Sequence, residues 1–287
     1  MIEVKDLVVD FKGKTILNKL SFTLDRGEII GLVAPNGTGK STLMRGIMNY
    51  LVPNSGQIEI DKLSYKNRRE EKKIHRLITM MPDQNDLYNY LSGMDHLKIY
   101  QNMWHQTAIS PQKVIEELKM TDYCHKKVGD YSLGMRQRLC FAMQIVANTP
   151  YMLMDEVMNG LDPSNVALIS QVLIEKKREG KGIIIASHLL ENLTVFSDII
   201  FFLKDGILTK KIVKGQAERP VVRFTSKKKL LTLADFKVVC LPNGTSYISV
   251  ETEAQLTEII NALMTAGIHQ FSYSPITLND LYFYYFE

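Results

Sequence analysis

Residues 31–42, GLVAPNGTGKST, place glycine, lysine and hydroxyl side chains at the spacing of a phosphate-binding loop. In the pattern G-x-x-x-x-G-K-[ST], glycines let successive backbone N–H groups turn toward an anion, lysine reaches the β- and γ-phosphates, and the hydroxyl holds Mg²⁺. Gly39, Lys40 and Ser41 fit this pattern, but Ala34 stands where the first glycine belongs. Alanine is compatible with such a loop if Ala34 stays extended, which the following Pro35 favours.

Two acids, Asp155 and Glu156, end the apolar run YMLMDE. A buried strand that delivers Asp155 beside the phosphate loop would let this carboxylate hold Mg²⁺ through water. Glu156 would then orient or deprotonate the attacking water. A chance pair of acids at a strand end is the alternative, and the phosphate loop upstream argues against it.

Two further positions add phosphate-binding chemistry. Ser132, in YSLGMRQRL, is placed to cap a helix whose first N–H groups would offer donors to phosphate. His188 ends the apolar run IIIASH, where it would touch a terminal phosphate at the edge of a doubly wound sheet. Read singly, these residues are a capped helix and a structural histidine.

The elements that must position these residues follow from the hydrophobic pattern. Alternating strands open the chain, and the run EIIGLV leads through the glycine loop into the helical pattern KSTLMRGIMNYL. Helical spacing covers about residues 85–143, and the buried parallel strands YMLMDE and GIIIASH flank a helix. A composition shift near residues 215–220 separates a first domain, 1–215, from a small α+β module, 216–287.

Composition indicates an ordinary globular protein of 287 residues, with 45% apolar residues, 23% charged residues and a formal net charge of +4. The three cysteines lack a C-x-x-C pair and suit reduced thiols in a cytosolic compartment. No run has the length of a membrane span, so a membrane role requires a partner chain. Residues 62–76 hold seven Lys or Arg against two Glu. They form either a solvated helix face or a patch for phospholipid head groups or nucleic acid.

The tail at residues 282–286 consists of five aromatic residues. Such a tail either closes a core or offers an exposed contact patch.

Taken in order, these motifs resemble the ATP-binding subunit of ABC transporters over about residues 1–215. The resemblance implies an α/β P-loop ATPase of ABC type, with an antiparallel β subdomain and a helical subdomain at about residues 85–143. Its most specific part is the serine and glycine helix start that precedes MLMDE. The chain resembles the branch that exports drugs and antimicrobial peptides.

The resemblance also assigns roles by position. It implies adenine stacking by Phe11 and phosphate binding by Asn36, Gly37, Thr38, Gly39, Lys40, Ser41 and Thr42. The signature, which would cap ATP bound to the opposite subunit, falls at Ser132, Leu133, Gly134 and Met135. The implied Mg²⁺ ligands are Ser41, Asp155 and either Asp83 or Gln84. The implied D-loop is Leu161 and Asp162, and the implied catalytic residues are Lys40, Glu156 and His188.

Departures from the family pattern affect three places. In MMPDQNDLY the family's glutamine aligns with Asp83 rather than Gln84, so that assignment stays open. In the signature, Leu133 and Met135 stand where glycine and glutamine are commonest. The usual Pro-Thr after Glu156 is replaced by Val157 and Met158. None of these changes removes a group that performs the chemistry.

The resemblance implies a subunit that binds ATP and Mg²⁺, pairs with a second ATPase subunit as a homo- or heterodimer, and sits at the cytoplasmic face of the membrane. A separate polytopic permease would dock on the helical segment containing Trp104, and no nucleic acid partner is expected. Two rivals are a soluble ABC-type ATPase that uses residues 62–76 on nucleic acid or ribosomes, and a non-hydrolytic ATP-binding module. Retention of Glu156 and His188 argues against the second rival.

Overall fold

Two compact units make up the chain, Met1–Lys214 and Gly215–Glu287. The computed structural model describes residues 1–187, 190–215, 220–225, 233 and 236–286. The division falls beside the boundary predicted between residues 215 and 216.

The strands of the first unit form two sheets. In chain order they are β1 (Ile2–Phe11), β2 (Lys14–Leu24), β3 (Ile29–Val33), β4 (Ser55–Ile60), β5 (Leu63–Ser64), β6 (Ile78–Met80), β7 (Tyr151–Asp155), β8 (Gly182–Ala186), β9 (Ile199–Lys204) and β10 (Ile207–Val213). The smaller sheet is antiparallel, with the order β2-β1-β4-β5. The larger sheet has the order β10-β9-β3-β8-β7-β6 and is parallel from β9 to β6. The predicted α/β architecture with an antiparallel β subdomain is confirmed.

The central strands of the larger sheet are apolar because both of their faces are covered. β3 and β8 are buried throughout, and β7 is buried up to Asp155. β8 pairs in parallel with β3 on one side and β7 on the other, with Ala186 opposite both Leu32 and Asp155. The residues that follow these strands therefore emerge at one edge of the sheet.

Helices connect and cover these strands. They are α1 (Lys40–Ile47), α2 (Arg68–Leu77), α3 (Gly93–Met103), α4 (Pro111–Glu117), α5 (Leu133–Ala147), α6 (Pro163–Arg178) and α7 (Leu190–Phe196), with short 3₁₀ helices at Gln84–Asp86 and Val128–Asp130.

Four of these α-helices begin at described capping side chains, and Asn67 is the cap of α2. Ser92, Ser132 and Asp162 accept hydrogen bonds from the backbone N–H groups of Asp95, Met135 and Asn165. Ser110 stands at the same position of α4, which begins with Pro111, but its side chain makes no capping hydrogen bond.

Asp61, in the turn between β4 and β5, joins the two sheets of the first unit. Its carboxylate accepts hydrogen bonds from the Met1 amino group, the Tyr151 hydroxyl and the Arg26 guanidinium, each at 2.6 Å. Burial alone would raise the pKa of Asp61, but these donors stabilise the carboxylate and hold its pKa at about 2.

The second unit is an antiparallel sheet with a helix on each face. Its strands are β11 (Pro220–Thr225), β12 (Val238–Cys240), β13 (Thr245–Ser249) and β14 (Phe271–Pro275), in the order β12-β13-β11-β14, and its helices are α8 (Glu253–Thr265) and α9 (Leu278–Phe286). Val222 packs in the core below α8, whereas its neighbour Val221 packs in the core that contacts Phe283 of α9. In the aromatic tail Phe283 therefore closes a core while Tyr284 stays 53% exposed, so each alternative holds for part of the tail.

Arg223 and Asp280 form an ion pair in the second unit, in which the Asp280 side chain is buried. The guanidinium donates to both carboxylate oxygens of Asp280, which is 5% exposed. Asp280 also accepts hydrogen bonds from the N–H and hydroxyl of Thr277 at 2.9 and 2.7 Å. The pair links β11 to the start of α9, and these donors satisfy the buried carboxylate.

Within the described part of the chain, no helix is both long enough and apolar enough to cross a bilayer.

Asp61→Asn tests the junction between the two sheets. Asparagine tolerates the left-handed backbone at this turn, where φ is 48°. The folded pKa of Asp61 lies below its ordinary value of 3.8. Its stabilisation is therefore complete above about pH 4 and is lost as the pH falls toward 2. We expect the Asp61→Asn variant to lose about 2 kcal/mol of unfolding free energy near pH 7, with the loss shrinking in acid.

Urea unfolding at several pH values measures this loss. Asp205→Asn is a matched control, because Asp205 is exposed at another left-handed turn with φ 50°. An equal effect of the two substitutions, or a loss that does not change with pH, would contradict the assignment.

Candidate functional site

The loop between β3 and α1 carries the phosphate-binding pattern. Gly37 and Gly39 have φ values of 79° and 112°, which glycine adopts at little cost. A Cβ on Gly39 would also lie 3.1 Å from the side chains of Ile16 and Leu17. Ala34 is fully buried and lies outside the left-handed region, so its methyl group is accommodated at the strand exit.

Lys40 lies over this loop at the start of α1. Its ammonium donates to the carbonyl oxygens of Ala34 and Pro35 at 2.7 and 3.1 Å, and its side chain is 6% exposed. Glu156 Oε1 lies 3.8 Å from the same nitrogen. Burial lowers the pKa of Lys40, and the carboxylates of Glu156 and Asp155 oppose that shift.

Ser41 and Asp155 meet at the edge of the larger sheet. The Ser41 hydroxyl donates to Asp155 Oδ2, while Asp155 Oδ1 is buried and has no hydrogen-bond partner. A hydroxyl and a free carboxylate oxygen are hard donors of the kind Mg²⁺ prefers, and Mg²⁺ keeps most of its other positions for water and phosphate. The described residues contain no group of three or more His, Cys, Asp or Glu that could hold a metal. This edge therefore fits Mg²⁺ held by few protein ligands.

Glu156 has an unusual backbone conformation for a side chain of its size. Its φ is 52°, in the left-handed region, which costs roughly 1–3 kcal/mol for a residue other than glycine. Two hydrogen bonds fix this conformation: its N–H donates to Ala186 O, and its carbonyl accepts from Gln137 Nε2, each at 2.9 Å. The surrounding structure therefore sets the direction of the Glu156 side chain.

A chain of two amides extends from Glu156 to the loop after β6. Gln137, which is 4% exposed, donates to the Glu156 carbonyl and accepts a hydrogen bond from Gln84 Nε2. Gln84 Oε1 is buried without a partner. Sequence reasoning missed Gln137. The available signal was a polar residue among the apolar positions of a buried helix.

Asp83 and Gln84, left open by the sequence, differ in their surroundings. Asp83 is exposed, and its side chain caps the 3₁₀ helix by accepting from Asn85 N at 2.8 Å. Its own N–H donates to Asp86 at 3.1 Å. The Gln84 amide instead donates to Gln137, so Gln84 is the residue of the two that hydrogen bonds connect to Glu156.

Two clefts share Asp155 and Glu156. The first, of about 190 Å³, is lined by Asn36, Gly37, Gly39, Lys40, Ser41, Thr42, Asp155 and Glu156. The second, of about 310 Å³, also contains Asp83, Gln84, Leu133 and Gln137. The structure thus brings the phosphate loop, both acids and the loop after β6 around one point.

The remaining predicted residues either do not line the first cleft or fall outside the described structure. Ser132 caps α5 and, like Gly134 and Met135, is not among the described residues that line the first cleft. Phe11 is 58% exposed at the end of β1. Asp162 caps α6, and hydrogen bonds from Ser164 and Asn165 lower its pKa to about 2. His188 falls outside the described residues.

Comparison with known proteins gives a consistent result. Residues 17–159 match the family model described as ABC transporter. YhcH of Bacillus subtilis (strain 168), an uncharacterized ABC transporter ATP-binding protein, is 34% identical over 212 residues, which are 72% of this chain and 68% of YhcH. YdbJ of the same organism, with the same description, is 29% identical over 284 residues, 96% of this chain and 92% of YdbJ.

Two more comparisons bear on chemistry and fold. SrtF of Streptococcus pyogenes, a lantibiotic transport ATP-binding protein, is 29% identical over 216 residues, which are 75% of this chain and 92% of SrtF. The dimeric ATP-binding cassette MJ0796, solved in a post-hydrolysis state with ADP and Pi, superposes with a TM-score of 0.67 at 24% identity. That superposition covers 74% of this chain and 98% of MJ0796, and at this identity it shows the fold alone.

Proposed function

Because this chain belongs to the ABC transporter ATP-binding proteins, an ATPase family, we propose that it is the ATP-hydrolysing subunit of an exporter of antimicrobial or amphipathic peptides or hydrophobic drugs. The observation that carries the proposal is the convergence of Lys40, Ser41, Asp155 and Glu156 on one cleft. These side chains come from two strand ends far apart in sequence, and each has a distinct task in phosphoryl transfer.

Nucleotide binding is assigned to the loop and to Phe11. The backbone N–H groups of residues 36–42 lie at the start of α1, where the helix dipole favours an anion. Lys40 lines this cleft together with the loop, so its ammonium is placed to bind a phosphate there. The exposed ring of Phe11 offers a face for adenine.

Mg²⁺ would be held by the Ser41 hydroxyl and Asp155, with Gln84 as the third side chain. Bound there, Mg²⁺ neutralises charge on the phosphate oxygens during transfer. We place Gln84 rather than Asp83 in this role, because the Gln84 amide is linked to Glu156 through Gln137 and its Oε1 is buried without a hydrogen-bond partner. Asp83 instead holds the turn that presents Gln84.

Glu156 is assigned the role of general base. Its carboxylate lies in the cleft beside Lys40, and two hydrogen bonds to its left-handed backbone fix the position from which the side chain extends. A base held in this way loses little orientation entropy when it takes a proton from the attacking water. His188, which follows the end of β8 by two residues in the sequence, is proposed to contact the terminal phosphate.

A second ATPase subunit completes the proposed site. Ser132, Gly134 and Met135 lie at the N-terminus of α5, whose N–H groups favour phosphate. Within one chain they stand outside the first cleft, so we propose that they cap ATP bound to the opposite subunit. Leu161 and Asp162 would belong to the same interface. The dimeric arrangement of MJ0796, a protein of the same fold, supports this proposal.

A polytopic permease would supply the membrane path and hold the chain at the cytoplasmic face of the membrane. The loop at Asp83 and Gln84 and the helical segment with Trp104 are the proposed docking site. Lantibiotic transport by SrtF supports a peptide substrate. The rival function on nucleic acid or ribosomes is not favoured, because the relatives named above are ABC transporter ATP-binding proteins.

Glu156→Gln tests the assignment of the base. Glutamine keeps the shape of the side chain but cannot accept the proton, so we expect ATP turnover to fall about a hundred- to ten-thousandfold while ATP binding persists. Phosphate release and nucleotide binding by the purified chain measure the two properties. The exposed Glu258→Gln serves as control. Unchanged turnover in Glu156→Gln would remove the base from the proposal.

Gln84→Ala and Asp83→Ala separate the two candidate Mg²⁺ ligands. Loss of one ligand interaction of about 1.4 kcal/mol corresponds to a roughly tenfold weaker affinity for Mg²⁺. We expect Gln84→Ala to raise the Mg²⁺ concentration for half-maximal turnover about tenfold. In Gln84→Glu, which keeps an oxygen ligand, this concentration should rise less. Asp83→Ala should change this concentration little. The reverse ranking in Mg²⁺ titrations of ATPase activity would assign the role to Asp83.

Peptide export is tested in cells that express the chain together with its co-purifying membrane partner. We expect such cells to survive higher concentrations of a lantibiotic than cells with the Glu156→Gln chain, because export requires hydrolysis. Growth inhibition curves measure the difference. Equal curves for the two chains across lantibiotics and amphipathic drugs, with ATPase activity intact, would exclude this substrate class and leave the ATPase assignment standing.

A further inference from the structure

A strongly basic surface covers α2 and the turn before it. All seven Lys and Arg side chains of this segment are exposed. We call them the basic face: Lys62, Lys66, Arg68, Arg69, Lys72, Lys73 and Arg76. No carboxylate in the described part of the chain lies within ion-pair distance of these seven cations.

The two acids of the same segment turn away from the basic face. Glu70 accepts a hydrogen bond from Ser64 N at 3.3 Å, and Glu71 accepts from Asn49 Nδ2 at 3.0 Å. Both side chains are half-buried in these contacts. The arrangement leaves a surface of one sign, whereas an ordinary solvated helix mixes charges of both signs.

The basic face is fixed to the first unit. Asn67 caps α2 by accepting from the N–H groups of Arg69 and Glu70, and Ile74 on the opposite side is fully buried. The Trp104 indole donates to His75 O at 3.0 Å. A preformed surface of this kind binds without first ordering its backbone.

Apolar side chains border the basic face. Tyr50 is 65% exposed, with its ring 6.1 Å from the ring of His75, and Val52, which is 77% exposed, lines one cleft with Lys66. Together with the cations they give the composition of a membrane-surface contact, in which basic groups meet anionic head groups and apolar groups enter the boundary with the acyl chains. An exposed valine offers nothing to a phosphate backbone, so this border favours a lipid surface over nucleic acid.

We propose that the basic face binds acidic phospholipid head groups of the membrane on which the transporter works. The inference rests on the proposed function in one respect: the hydrogen bond from Trp104 joins α2 to the segment proposed to dock on the permease, so both surfaces would meet the membrane region together. The face would hold the chain against the bilayer and align the docking segment with the permease.

Sedimentation with vesicles tests this proposal on the purified full chain. The probes are vesicles of phosphatidylcholine alone and vesicles of phosphatidylcholine mixed with phosphatidylglycerol. We expect binding to the anionic vesicles only, weakening as salt is added. Each Lys or Arg near an anionic surface raises affinity about fivefold. The variant Lys72→Gln/Lys73→Gln/Arg76→Gln should therefore bind on the order of a hundredfold more weakly.

The matched control is Lys113→Gln/Lys126→Gln/Lys127→Gln, which removes the same charge from exposed lysines outside the basic face and should bind like the unmodified chain. Equal binding by the two triple variants, or no preference for phosphatidylglycerol, would overturn the proposal. Binding of a short single-stranded RNA without binding of anionic vesicles would overturn it in favour of nucleic acid.

ATPase activity measured on the same samples separates this inference from the proposed function. The triple variant of α2 should hydrolyse ATP like the unmodified chain, which also shows that it is folded. Vesicle binding without any ATPase activity in the unmodified chain would leave the lipid surface standing and defeat the proposed function. ATPase activity without vesicle binding would overturn the lipid-binding proposal and leave the proposed function standing.

Discussion

The site depends on the parallel pairing of β3 and β7 with the shared strand β8. Because Ala186 of β8 lies opposite both Leu32 and Asp155, the chain leaves β3 and β7 at the same edge of the sheet. This register places the Ser41 hydroxyl on Asp155 and the Lys40 ammonium beside Glu156, although more than a hundred residues separate the two segments. A shift of one residue in the pairing of β7 would turn Asp155 to the opposite face of the sheet. The burial of the three strands therefore fixes the chemistry of the edge.

The groups held at this edge are individually unfavourable. Lys40 is buried, Asp155 Oδ1 has no hydrogen-bond partner, and Glu156 adopts a left-handed φ. Each of the latter two costs roughly 1–3 kcal/mol, which the surrounding apolar core has to offset. Such costs are reduced when an anion reaches Lys40 and a cation reaches Asp155. Binding of an anion and a cation would therefore improve the interactions of Lys40 and Asp155, at a site whose backbone is already ordered.

Local patterns explain why much of this arrangement could be predicted from sequence. The glycine loop, the acids that end β7 and the cap at Ser132 are each encoded within a few residues, so spacing and residue type were sufficient. Contacts between distant segments were not predictable. Periodicity does not say that Gln84 meets Gln137, which follows it by 53 residues, or that Glu70 and Glu71 turn inward from the basic face. Likewise β14 and α9 were missed, because their short aromatic and serine-rich runs carry no clear period.

The amide chain from Gln84 to Glu156 gives the loop after β6 a physical connection to the site. Gln137 is buried, so an amide oxygen that lost Gln84 would have to find another donor or remain unsatisfied, at a cost of about 1–3 kcal/mol. Gln137 also holds the Glu156 carbonyl, and that bond is one of two that fix the left-handed backbone of Glu156. Any partner that draws the Asp83 turn outward must therefore either break the Gln84 contact or carry Gln137 with it. If Gln137 moves with the turn, the change reaches the backbone of Glu156 through two hydrogen bonds. If the Gln84 contact breaks, the Gln137 oxygen loses its donor while Gln137 still holds the Glu156 carbonyl.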